Sequence, residues 1–311
     1  VTPQLNKRVC VSLTTRGNYG KMKSTMTALA KSPDIDLQIA IGGALVLDSY
    51  GDFGPAIEAD GFSVDRQVPY IEIGETLDAM TNSAGNCVSA MGAVFAELKP
   101  DIVVIVADRY EALSIAQAAL CQTIPIAHIE GGEASGSIDD RIRHAVTLLA
   151  DIHFPANRAA ADVLRGFGIP DGAIYTVGTP SLDLIIAGSK ADCWAAQQHL
   201  NAAGRGAEVN LSDDFLIVSQ HPVVTEYSDA GRQFRETARA VRQIGIPTVW
   251  VLPNLDAGAF EASRAVEALT NDGEAPPVCV VASLPLLPYA AMLRETRCLV
   301  GNTSSGIRES A

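Results

Sequence analysis

Residues able to hold an anion or move a proton recur at one kind of place in this sequence, immediately after short apolar runs. Arg16, the pair Asp108 and Arg109, Glu130, His221, Asn254 with Asp256, and the stretch from Asn302 to Ser305 each follow such a run. In open α/β sheets ligands bind beyond the carboxyl ends of the strands. A single Asp, Asn or Ser at a strand end commonly caps a helix or makes a turn. Capping does not call for Arg, His or Glu, so the recurrence points to a ligand site between two facing sheets.

The densest stretch is His128-Ile-Glu-Gly-Gly-Glu133, followed by Ser137-Ile-Asp-Asp-Arg-Ile-Arg-His144. Gly131 and Gly132 would let backbone approach a ligand closely, whereas Asp139 and Arg143, four apart on a helix, also fit a plain surface ion pair. Gly301-Asn-Thr-Ser-Ser-Gly306 combines glycines, hydroxyls and a helix start, where free N–H groups attract phosphate. It lacks the lysine of a P-loop. Glu309, about one turn further, is placed to accept from ribose hydroxyls. His128, His144 and His153 match no zinc spacing and no cysteine pair completes one, so no metal is expected. His199, in an Ala-rich helix, reads as a surface residue.

Buried strands are expected at 9–13, 37–41, 102–106 and 124–129, with helices between them, which is the pattern of a parallel sheet. Val88, Met91, Phe95 and Leu98 share one helical face that Pro100 brings to an end. In the second helix-forming block Ile142, Ala145, Val146 and Leu149 form the apolar stripe. The strand pattern restarts at 215–219, 247–252, 278–281 and 298–300, a second α/β unit. The segment 181–206, helix-forming and Ala-rich and ending in Ala-Ala-Gly-Arg-Gly, reads as connector and loop, giving domains at 1–180 and 181–311 with the boundary near 180–205. The second unit reads as unfinished at Ala311.

At 311 residues two cores are expected. The net charge of −13 opposes binding to nucleic acid or anionic lipid, and the 5% aromatic content gives little material for base stacking. Six scattered cysteines without paired spacing, no signal pattern at the N-terminus and no long apolar run point to a soluble cytoplasmic protein with a small ligand.

Taken together, Arg16-Gly-Asn-Tyr-Gly20, Ala107-Asp-Arg-Tyr-Glu111, His128 to Glu133, Ile138 to Ala145, Gln220-His-Pro222, Pro253-Asn-Leu-Asp-Ala-Gly258 and Gly301 to Glu309 resemble the hydrolysing UDP-N-acetylglucosamine 2-epimerases nearly end to end. The block from His128 to Ala145 is the specific part, since non-hydrolysing relatives carry a different sequence there. Ala107 stands where the family commonly has Gly. The resemblance implies two Rossmann-like domains facing across a cleft, as in one large class of glycosyltransferases, a nucleotide-sugar substrate, no cofactor and a homo-oligomer.

It also implies an elimination of UDP to a 2-acetamidoglucal followed by addition of water. Asp108, Glu130 and Asp139 are assigned to proton transfer and water activation. Clustered carboxylates repel one another's charge, so acid and base forms can coexist near neutral pH. Arg16, Arg109, His221, Thr303, Ser304 and Ser305 fall to the substrate and its diphosphate and Glu309 to ribose, while Arg143 and His144 orient the carboxylates or touch the sugar. A glycosyltransferase of the same fold, or a nucleotide-sugar sensor without turnover, are the competing expectations. Fold alone does not separate them.

Overall fold

The computed structural model describes residues 6–47, 53–74, 76–106, 108–188 and 190–309. Ala107 and the stretch 310–311, noted above, lie outside the described residues. The chain divides into two compact units, Val1–Ile73 with Asp78–Ser181, and Leu182–Ala311 with Gly74–Leu77. Each unit is a Rossmann-like α/β domain built on one largely parallel sheet.

The first sheet contains β1 (Lys7–Leu13), β2 (Ile35–Gly42), β3 (Arg66–Val68), β4 (Ile102–Val106), β5 (Ile126–Ile129) and β6 (Ile152–Phe154), all parallel, in the order β3-β2-β1-β4-β5-β6. Helices cover both faces, which is why the strands are apolar throughout rather than alternating. Within β4, Val103 and Ile105 enter the core under α3 (Leu77–Leu98), α4 (Tyr110–Cys121) and α5 (Ile138–Leu149), while Val104 and Val106 enter the core under α1 (Arg16–Lys31). The strand order reverses between β1 and β4, and the crevice beyond the carboxyl ends of those two strands is where such folds bind ligands.

Two helices depart from the expected stripe. On α3 the buried line is Ser83, Cys87, Met91 and Phe95, with Val88 half-buried beside it. On α5 the buried residues are Arg143, Val146 and Thr147, so a helix expected to present only apolar groups carries a guanidinium inward.

The second sheet runs β11 (Cys298–Gly301), β8 (Leu216–Ser219), β9 (Thr248–Val251), β10 (Val278–Val281) and β7 (Arg205–Gly206), with β7 alone antiparallel among these strands. Its switch point lies between β8 and β11. The segment expected to be connector and loop is part of this unit: α8 (Trp194–Ala203) buries Ala196 and Leu200 against Phe215 and Ile217, and Arg205–Gly206 is the edge strand β7. His199 on α8 is half-buried and its Nε2 lies 3.0 Å from the Ser283 carbonyl, so it is not a plain surface residue.

Where β11 meets β8, Gly301 has φ 141°, and a Cβ there would stand 2.0 Å from the Ser219 carbonyl oxygen. No side chain fits that position without parting the two strands. Gly301→Ala is expected to destabilise the second unit by at least about 2 kcal/mol. Both tryptophans, Trp194 and Trp250, belong to that unit, so a lowered urea midpoint in tryptophan fluorescence is the measurement; an unchanged midpoint would contradict the packing.

Candidate functional site

In the first unit the loops after β4 and β5, helix α1 and the turn at Thr179 meet α5 in two ionic arrays. The first is centred on Arg143, whose side chain is 1% exposed. Its Nη1 donates to Asp140 Oδ1 and to the Glu133 carbonyl, both at 2.6 Å, and its Nη2 donates to Asp108. The same Asp140 carboxylate accepts from Ser135 N and Oγ, each at 2.7 Å, and from Gly136 N at 2.8 Å. A buried guanidinium needs fixed counter-charge, and Asp108 and Asp140 supply it from two different elements. Arg143 is therefore no member of an exposed surface pair, and its partner within α5 includes Asp140, three residues back. Asp139 instead faces the start of its helix, where its Oδ2 accepts from Ser137 Oγ at 2.9 Å.

The second array is built on Glu130. The residue is fully buried and has φ 66°, an uncommon conformation for a non-glycine residue. Lys21 Nζ from α1 donates to Oε2 at 2.9 Å, and Thr179 Oγ1 donates to Oε1 at 2.5 Å. Strained backbone of this kind persists only where surroundings over-determine it, and it gathers at functional sites. Packing alone already requires the adjoining glycines. A Cβ on Gly131 would meet Thr147 Oγ1 at 2.8 Å, and one on Gly132 would meet the Ala160 carbonyl at 2.4 Å.

The remaining expected residues divide. Arg16 opens α1, half-buried, its guanidinium 5.4 Å from the centroid of the Phe53 ring. Arg109 is held by Glu111, Nε to Oε2 at 3.1 Å and Nη2 to Oε1 at 3.2 Å, and Glu111 is itself buried. His144 packs edge-to-face on Phe167 with ring centroids 5.0 Å apart, and no hydrogen bond joins it to a carboxylate among the described residues. His128 is buried with Nδ1 3.2 Å from Thr147 Oγ1, and burial holds His153 below the ordinary imidazole range.

In the second unit, beyond the switch point, Asn302 clamps the backbone of His221: its Oδ1 accepts from His221 N at 2.7 Å and its Nδ2 donates to His221 O at 2.9 Å. This draws His221 beside Thr303, Ser304 and the single turn α12 (Ser305–Arg308). Ser305 Oγ donates to Glu309. Burial first, then the Glu309 charge, push the neighbouring Tyr289 hydroxyl up to about 12 against the opposing Ser305 hydrogen bond, so it stays protonated.

Lys21, Thr179 and Asp140 belong to these arrays without having been singled out as site residues by their spacing, whereas Asn302 stood in the stretch that was. Lys21 directly follows the Arg16 to Gly20 motif and Asp140 directly follows Asp139, so adjacency was the available signal. Thr179, in Gly178-Thr-Pro-Ser181, carries a turn signature only.

Three comparisons bear on this arrangement. The family model described as UDP-N-acetylglucosamine 2-epimerase matches residues 27–311. The chain is 29% identical over 297 residues to the UDP-N,N'-diacetylbacillosamine 2-epimerase (hydrolyzing) of Legionella pneumophila, covering 96% of this chain and 76% of that protein. It is 26% identical over 304 residues to a UDP-N-acetylglucosamine 2-epimerase of Neisseria meningitidis, covering 98% and 77%. Among solved structures, the UDP-GlcNAc 2-epimerase from Neisseria meningitidis bound to UDP-GlcNAc superposes with a TM-score of 0.74 at 15% identity, over 96% of this chain and 78% of that one, a likeness of fold.

Asp140 yields a test independent of any substrate. Burial disfavours its charge, but the hydrogen bonds from Ser135, Gly136 and Arg143 outweigh that and bring its pKa from 3.8 to about 2. A pKa depressed on folding stabilises the protein above the unfolded value, and that stabilisation is lost as pH falls from about 4 to about 2, an effect of about 2 kcal/mol. Asp140→Asn should therefore be less stable than the parent by about that much at pH 7. In urea unfolding followed by circular dichroism the difference should shrink between pH 4 and 2; a difference constant across that window would contradict the assignment.

Proposed function

We propose that this chain, which belongs to the UDP-N-acetylglucosamine 2-epimerase family, is a hydrolysing 2-epimerase that converts UDP-GlcNAc, or a related nucleotide-linked N-acetylhexosamine, and water into a free ManNAc-type sugar and UDP. The observation that carries the reading is the acid/base set at the first switch point: Asp108 on the buried Arg143, Asp139 at the start of α5, and Glu130 between Lys21 and Thr179. The relative from Legionella pneumophila, whose name specifies hydrolysis, supports the same choice.

The chemistry follows from what inversion at C2 requires. The C2–H bond is too weakly acidic to break unaided, so the C1–O bond to UDP must cleave with it, the C–H electron pair becoming the C1=C2 double bond of a 2-acetamidoglucal. A carboxylate takes the C2 proton. Water then adds its oxygen to C1 and gives up a proton to a carboxylate, while a carboxylic acid delivers a proton to C2 on the other face. Nothing is oxidised or reduced overall, so no redox cofactor is needed. We assign Asp108, Glu130 and Asp139 to these transfers as a set.

For the nucleotide we assign Arg16, His221, Thr303 and Ser304 to the phosphates and Glu309 to the ribose, with Arg109 and Ser305 as further substrate-binding residues and Glu309 turning from Ser305 when UDP binds. We propose that no metal is needed; among the described residues no group of three or more His, Cys, Asp or Glu is placed to hold an ion. Six free cysteines suit a reducing cytoplasm, and no described helix is long and apolar enough to cross a membrane. We propose a homo-oligomer as the working form.

With UDP-GlcNAc in deuterated water, the protein is expected to release UDP and N-acetylmannosamine bearing deuterium at C2, read by proton NMR without any acceptor present. UDP-linked ManNAc as the lasting product would place it with the non-hydrolysing enzymes, and UDP release only with an acceptor would make it a glycosyltransferase. Asp108→Asn and Asp139→Asn should each lower turnover by about 10²-fold or more with UDP affinity preserved. Glu309→Ala should instead weaken UDP binding by about 1.5–3 kcal/mol by calorimetry; the opposite pattern would reverse the assignment of the two units.

A further inference from the structure

A buried cation whose only counter-charge takes part in proton transfer is stranded each time that counter-charge is protonated. Arg143 is spared this, because two carboxylates meet it and they are held differently. Asp140 accepts four hydrogen bonds, from Arg143 Nη1 at 2.6 Å, from Ser135 N and Oγ at 2.7 Å each and from Gly136 N at 2.8 Å. Burial disfavours its charge, but these bonds favour it more and bring the carboxyl to about 2, so it stays ionised through the neutral range. Asp108 accepts from Arg143 Nη2 through Oδ2, and among the described residues its Oδ1 accepts no hydrogen bond. Its side chain is 22% exposed against 1% for Arg143, so a proton has access to it. The other charged and titratable groups at this edge of the sheet are Arg16, the pairs Lys21 with Glu130 and Arg109 with Glu111, His128, Glu133, and Asp139 with His144 on α5.

We propose that Asp140 is a positioning residue of the reaction, the standing counter-ion of Arg143 that leaves Asp108 able to take up and release a proton without stranding the buried guanidinium. The inference rests on the reading above that Asp108 exchanges a proton during turnover. With both carboxylates ionised the group carries two negative charges and one positive, and Asp108 is the member held by one residue alone. A proton leaving the substrate or water, whose bonding pair stays with the molecule it came from, lands on Asp108 Oδ1. Arg143 Nη2 goes on donating to Oδ2, and Arg143 with Asp140 remains one charge of each sign. Release of the proton restores the first state, so in neither state does the guanidinium lack fixed counter-charge. Without the Asp140 charge, protonating Asp108 would leave a bare cation in the interior, and Asp108 would be held as the carboxylate.

The test is the pH profile of UDP release from UDP-GlcNAc by the full chain, with kcat and KM separated and folding checked by circular dichroism. Asp140→Asn should move the acidic limb of kcat/KM to lower pH by about one unit or more, because Asp108 then faces an uncancelled cation. A carboxylate so held is a weaker base, so kcat at pH 7 should fall by about 3- to 10-fold. Asp140→Glu, which keeps the charge, should leave the limb within about half a unit of the parent's. A limb that stays in place in Asp140→Asn, or moves as far in Asp140→Glu, overturns the proposal. Should Asp140→Asn fail to fold, combining it with Arg143→Gln removes the two opposed charges together, and the limb should then lie near its parent position. A rise of about one unit or more in that double variant would show Arg143 acting on Asp108 uncompensated, and would overturn the proposal equally. A parent chain that releases no UDP sinks the functional reading and this inference with it. An active parent beside an Asp140→Asn limb that has not moved sinks the inference alone.

Discussion

Arg143 is a guanidinium almost wholly withdrawn from solvent, and a charge in that position must be matched by fixed groups or the fold around it loses several kcal/mol. The groups that match it come from separated parts of the sequence: Asp108 after β4, the Glu133 carbonyl from the loop after β5, and Asp140 from α5 itself. Meeting that one requirement fixes the angle at which α5 leaves the sheet, the path of the loop from Glu133 to Ser137, and the direction of the Asp108 carboxylate. Asp140 is tied in turn to Ser135 and Gly136, so the loop cannot relax without loosening the arginine.

A second constraint runs beneath the first. Thr147 and Ala160 occupy the space where side chains on residues 131 and 132 would go, which holds the chain tight behind Glu130 and places that residue in its left-handed backbone conformation. The strain is balanced by bonds that reach across the first unit, from Lys21 on α1 and from Thr179 just before α7 (Ser181–Gly188). In the second unit the corresponding device is simpler. Gly301 lets β11 lie against Ser219, and Asn302 fastens the backbone of His221, so the polar residues of that switch point are set by backbone geometry rather than by buried charge.

Much of the architecture was legible in the sequence because strands covered on both faces read as unbroken apolar runs. Segments 102–106, 278–281 and 298–300 declare themselves in this way, and the strand ends marked the loops that carry Asp108, Glu130 and His221. The short strands β3, β6 and β7 left no trace, since two or three residues cannot show a period. The segment 181–206 reads as helix-forming connector, and its part in the core did not show for a related reason: Ala and Gly give weak signals alone, and only the packing of Ala196 and Leu200 against Phe215 makes α8 a core helix.

The sequence by itself determined the class of fold, the two sets of strands and the edge at which chemistry would gather, because these depend on local pattern and on the rule that parallel sheets bind at their carboxyl ends. The tertiary structure decided how the polar residues pair. Asp139 and Asp140 are neighbours with equal chemistry on paper, yet Asp140 accepts from Arg143 and the loop while Asp139 accepts from Ser137 at the helix start. His144 turns to Phe167, and Thr179 reaches Glu130 from 49 residues away in the chain. Pairings of this kind are settled by which charges become buried together, a matter of distance in space that spacing along a sequence does not encode.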